Sequence, residues 1–96
     1  MASWLLTQSA ERDLDALLSY LAQHRATSAS RNIALVIFNQ IELIAAHPLA
    51  FPEDSAGRRH SIVPRLAHRI TYRYIAEADC VRVTAITHAR RQWVRS

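Results

Sequence analysis

The chain has 96 residues, room for a single domain spanning 1–96, which excludes an enzyme built from separate cofactor and substrate domains. Half of the residues are hydrophobic, which excludes a disordered chain, and the one cysteine, Cys80, excludes both a disulfide framework and a Cys-rich zinc site. The longest apolar run, residues 33–38, is too short for a membrane span or a signal-peptide core, so a cytoplasmic protein without a membrane segment is expected.

The net charge of +4 hides a division along the chain. Residues 1–57 carry three arginines against six carboxylates, and residues 58–96 carry nine arginines against two. All twelve basic residues are Arg and none is Lys. A preference for Arg codons in a GC-rich genome accounts for the missing Lys, but not for the segregation. A basic half calls for an acidic partner, either nucleic acid or an acidic protein, met by planar bidentate contacts.

Residues 4–7 are a short apolar, strand-forming stretch, and Ser9 can cap a helix from Ala10 to about His24. Leu14, Leu17, Leu18 and Leu21 recur at helical spacing on one face of it. Thr27, Ser28 and Ser30 read as a polar joint before a second helix over residues 30–46, stopped by Pro48. Ile33, Ile37, Ile41 and Ile44 share a face with Ala34, Phe38 and Ala45, while Leu35, Val36 and Leu43 fall outside it. This helix should therefore be covered on more than one side, by the first helix or by a partner protein.

Residues 47–57 have the chemistry of a loop, with Pro48, Pro52, Asp54, Ser55 and the single glycine, Gly57. One glycine excludes the Gly-rich phosphate loops of nucleotide-binding proteins. The period then becomes two: a short strand over residues 59–63, a strand over 69–76 with Ile70, Tyr72 and Tyr74 opposite Arg69, Thr71, Arg73 and Ile75, and a turn at 77–79. A last strand, 80–87, sets Val81, Val83 and Ala85 against Arg82, Thr84 and Ile86. The order β-α-α-β-β-β gives an α+β domain, a helical hairpin packed on a largely antiparallel sheet.

Five histidines (His24, His47, His60, His68 and His88) lack metal-binding spacing, so neither a metal nor a cofactor is expected. Cys80 reads as a small half-buried thiol, and Glu11, Asp13 and Asp15 as the solvated first turn of a helix. The alternation of residues 69–74 can present guanidinium groups and rings to nucleic acid. Tyr72 and Tyr74 share the face of Ile70 and read as core, which leaves Arg73 as the functional candidate. The run His88-Ala89-Arg90-Arg91-Gln92-Trp93 sets two Arg and an aromatic at the end of the last strand. Neighbouring side chains on an extended chain point opposite ways, so one Arg can anchor while the other recognises.

These residues resemble the ParE/RelE superfamily of toxins from bacterial type II toxin–antitoxin systems, the ParE branch most of all. The resemblance rests on Ser9-Ala10-Glu11-Arg12-Asp13-Leu14-Asp15, His47-Pro48 with Phe51-Pro52, Gly57-Arg58-Arg59, Ile70-Thr71-Tyr72-Arg73-Tyr74 and Ile86-Thr87-His88-Ala89-Arg90-Arg91-Gln92-Trp93. It implies the same β-α-α-β-β-β fold and a toxin held by a cognate ParD-like, ribbon-helix-helix antitoxin with an acidic tail, in a hetero-oligomer. For the ParE branch it implies poisoning of DNA gyrase without catalysis; for the RelE branch, cleavage of ribosome-bound mRNA. On the first reading Arg90, Arg91 and Trp93 contact the target, and Arg59, Arg73 and Arg82 bind the antitoxin. On the second, His88, Arg73 and Arg90 are the catalytic candidates; the proton-transfer set is incomplete, since Lys is absent and only Gln92, Trp93, Val94, Arg95 and Ser96 follow Arg91, which leaves His60, His68, His88 or Tyr72 to stand in. A stand-alone RNA-binding domain using the basic sheet is the third reading.

Overall fold

The computed structural model describes residues 1–24, 27–63 and 67–88. Its elements follow the expected order: β1 (Ser3–Leu6), α1 (Gln8–His24), α2 (Thr27–Ala46), β2 (Arg59–Val63), β3 (His68–Ile75) and β4 (Cys80–His88), with a 3-10 turn at Ala76–Ala78 before β4. The strands form one sheet in the order β1-β4-β3-β2. β2, β3 and β4 are antiparallel neighbours, and β1 lies parallel to β4 at the edge. Both helices cover one face, an α+β arrangement in two layers.

Between the layers lie Ala10, Leu14, Leu21, Ile37, Ile41, Ile44 and Ala45 from the helices and Val63, Ile70, Tyr72, Val81, Val83 and Ile86 from the strands, all buried. The leucine stripe of α1 and the isoleucine stripe of α2 therefore do what their spacing predicts. Tyr72 is buried in the core and Tyr74 packs against it partly buried, on the face that their position beside Ile70 implied. The phenol of Tyr72 donates to the Pro48 carbonyl at 2.7 Å, and its ring meets Phe51 edge-on. Arg59 donates to the Phe51 carbonyl at 2.6 Å. Together these contacts hold the loop after α2 against the end of the sheet.

Several local expectations need correction. Thr7, not Ser9, caps α1: its hydroxyl accepts the Ala10 N–H at 3.3 Å, and Ser9 lies inside the first turn. The supposed joint of Thr27, Ser28 and Ser30 belongs to α2, which begins at Thr27. No element of the described chain covers the outer side of α2, where Leu35, Val36 and Leu43 are exposed. The alternation expected for β4 breaks at a β-bulge. Thr71 pairs with Ala85 and Tyr72 with Val83, so Thr84 is an extra residue. The insertion turns Ala85 away from the helices and brings Ile86 into the core, the reverse of the regular alternation.

The bulge falls where β4 loses its edge partner. β1 ends opposite Val83, and the Thr7 N–H bonds the Val83 carbonyl at 2.9 Å. Beyond that point α1 runs along β4, and the Asp13 carboxylate accepts the Ile86 N–H at 3.0 Å. An acidic residue of the first helix thus satisfies a ladder donor that has no strand beside it.

Candidate functional site on the open sheet face

Among the described residues, no element covers the opposite face of the sheet. Register places His60 beside Thr71, Ile62 beside Arg69, and Arg73 beside Arg82. His60, Arg69, Thr71 and Arg73, with Thr87 and the bulge pair Thr84 and Ala85, line an open groove of about 560 Å³, walled at one side by Asp54 and Arg58.

That wall is a tight turn built on one carboxylate. Asp54 Oδ1 accepts the N–H groups of Ala56 and Arg58, each at 2.9 Å, and the Asp54 N–H donates to the Arg58 carbonyl at 2.7 Å. Gly57 closes the turn at a φ of 79°, a left-handed conformation that glycine adopts without strain. Its missing side chain also matters, because a Cβ there would sit 3.1 Å from Arg73 Nη1. The turn returns the chain antiparallel to itself, with Glu53 bridging Arg59 at the start of β2.

The second carboxylate oxygen, Asp54 Oδ2, takes the Arg58 guanidinium at 3.1 Å and His60 Nε2 at 2.9 Å. An ionised carboxylate can only accept, so the imidazole carries its proton on Nε2; in the neutral ring Nδ1 then accepts the Thr71 hydroxyl, 3.1 Å away. Both ring nitrogens are occupied. The hydrogen bond from His60, then the Arg58 and Ala56 N–H groups and the Arg58 charge, hold the Asp54 carboxyl far below the ordinary carboxylate range. Arg58 is half exposed, so its ion pair adds little stability; it helps to fix the turn.

Arg69 and Arg73 differ from Arg58. Among the described residues neither has a carboxylate within ion-pair distance, and the buried Nε of Arg69 has no hydrogen-bond partner. The groove therefore gathers three guanidinium groups around one carboxylate, which is already engaged by Arg58 and His60. This arrangement can bind an anion with several oxygens. Among the described residues it has no free base, since His60 is held at both nitrogens.

The sequence-derived candidates divide between the faces. Arg73 and Arg82 stand together on the open face, whereas Arg59 is half-buried on the helix side. His88 is also on the helix side, ring against ring with His68 at 5.0 Å, so the sheet separates it from Arg73. Arg90, Arg91 and Trp93 lie outside the described residues. Asp54, Arg58 and His60 were missed as a unit, although Asp54 and Gly57 three residues apart form a turn signal just before the basic strand. The strand alternation did place Arg69, Thr71 and Arg73 on one face.

A family model described as "ParE toxin of type II toxin-antitoxin system, parDE" matches residues 5–93. Among solved structures, the chain is similar to one titled "Chromosomal ParDE TA system from P. aeruginosa", with a TM-score of 0.76 and 19% sequence identity over 92% of this chain and 96% of that one. No curated protein matches significantly. The structural likeness extends the agreement to the layering of two helices on a mixed four-stranded sheet. On the family match, which spans nearly the whole chain, this protein belongs to the ParE toxin family of type II toxin–antitoxin systems.

Proposed function

We propose that the protein is a toxin that inhibits DNA gyrase and is neutralised by a cognate antitoxin in a hetero-oligomer in the cytoplasm. Family membership supports the class, and one observation favours gyrase over RNA cleavage: beside the arginines of the open face the described residues set no histidine with a free nitrogen. His60 is engaged at both nitrogens, and His88 lies across the sheet from Arg73. Cleavage through a ribose 2′-hydroxyl needs a group that removes one proton and another that supplies one. The whole chain, 1–96, acts as one toxin domain.

In this reading Arg90, Arg91 and Trp93, at the end of the basic half, contact the target. The antitoxin is a ribbon-helix-helix protein whose acidic tail lies across the sheet and α2. Arg73 and Arg82 receive its carboxylates on the open face, Arg59 contributes from the other side, and the exposed Leu35, Val36 and Leu43 receive its apolar residues. Purified protein should block gyrase supercoiling and leave ribosome-bound mRNA intact. Codon-positioned cuts in that message, with supercoiling unaffected, would overturn the proposal in favour of the ribonuclease reading.

A further inference from the structure

We propose that the groove formed by Arg58, Arg69 and Arg73 is a phosphodiester-binding site that holds a nucleic-acid strand without cutting it. Its chemistry suits a phosphate better than a single carboxylate. A carboxylate presents two oxygens in one plane and is satisfied by one guanidinium fork, whereas this groove directs arginines from the Asp54 turn and from β3 into one open depression. Arg69 and Arg73 are without carboxylate partners among the described residues, and the buried Arg69 Nε keeps an unused donor. Arg58 is already partnered by Asp54 and forms the rim. The groove is open along the sheet, so a strand can enter and leave, and exposed Ile62 beside Arg69 gives an apolar surface for a sugar or base.

His60 is a positioning residue. Its bonds to Asp54 and Thr71 tie the Asp54 turn to the sheet and set where Arg58 stands relative to Arg69 and Arg73. Because neither ring nitrogen is available to a bound strand, the site binds and does not transfer a proton. Gly57 keeps the space beside Arg73 open. The inference is independent of the gyrase reading, since it concerns a contact measurable with the toxin alone. Since Arg73 serves both, nucleic acid and the antitoxin tail compete for this face.

The test is a titration of the full chain with inorganic phosphate and with a labelled 12-nucleotide single-stranded DNA and its RNA counterpart. Amide shifts are followed by NMR and affinity by anisotropy across a salt series. Phosphate and both oligonucleotides should shift Thr71, Thr84 and Ala85 amides, and the logarithm of affinity should fall linearly with the logarithm of salt. Arg69→Ala and Arg73→Ala should each lower oligonucleotide affinity about tenfold and reduce the salt slope by about one. Arg12→Ala, on the helix layer, should change neither. If Arg69→Ala lowers the folded fraction, Arg69→Gln, which keeps the length of the side chain, takes its place. Unchanged binding in both groove variants, shifts confined to other surfaces, or cleavage of the RNA would overturn the proposal. So would a Glu-rich peptide of equal charge that binds more tightly than the oligonucleotides and loses that advantage in Arg69→Ala, an outcome assigning the groove to acidic protein.

Discussion

Asp13 carries the clearest single-residue consequence. Replacing it with Ala leaves the Ile86 N–H without its acceptor in a part-buried position, and an unsatisfied donor of this kind costs about 1–3 kcal/mol. A thermal melt of Asp13→Ala should show that loss, while Asp15→Ala, exposed on the same helix, should melt as the parent does. Asp54 gives a prediction in pH. Its folded carboxyl titrates below its unfolded value of 3.8, so its contribution to stability is present above about pH 4 and is lost as the pH falls below that value. Asp54→Asn should therefore have a lower Tm at neutral pH and a flatter fall in Tm on acidification. Neither role was legible in sequence. Asp13 reads as one of three carboxylates near the start of a helix, and only the early end of β1 makes it the acceptor for a strand.

At the scale of elements, the bulge in β4 decides which of two neighbours is core. Ile86→Ala should cost about 2–5 kcal/mol, the range for emptying a buried aliphatic site, whereas Ala85→Ser should be nearly neutral. A strand without the bulge reverses that order, and urea melts of the two variants separate the cases. Gly57→Ala tests the Asp54 turn: a side chain at positive φ costs about 1–2 kcal/mol, and its contact with Arg73 displaces that guanidinium. Strand and helix identities were legible because their apolar periods are long and regular. The bulge was not, because Thr84, Ala85 and Ile86 suit either alternation and only the partner strand decides between them. The outer side of α2 was legible as a question: too many apolar residues for one stripe, of which Leu35, Val36 and Leu43 stay exposed.

Across the whole molecule, the division of charge along the chain becomes a division between layers. The two helices and the loop after them come from the acidic part, and β2, β3 and β4 from the arginine-rich part. The open face can attract an acidic tail or a nucleic-acid strand at long range, and salt will slow either association. The basic surface was visible in the sequence, but its anion groove was not, because that needs the Asp54 turn folded against β3. At this scale the proposed determinants Arg90 and Arg91 are testable by single substitutions. Arg90→Ala and Arg91→Ala should each change stability by no more than about 0.5 kcal/mol, leave antitoxin affinity intact, and abolish growth arrest in at least one case. Full killing by both stable variants would move the determinant to the open face, beginning with Arg73.

The central claim, that this toxin acts on gyrase and not on message, is tested most directly by inducing it in bacteria and following DNA and protein synthesis separately over the first minutes. Gyrase inhibition predicts that incorporation of labelled thymidine falls first while labelled methionine continues to enter protein. Methionine incorporation falling first, with thymidine following, would contradict the account.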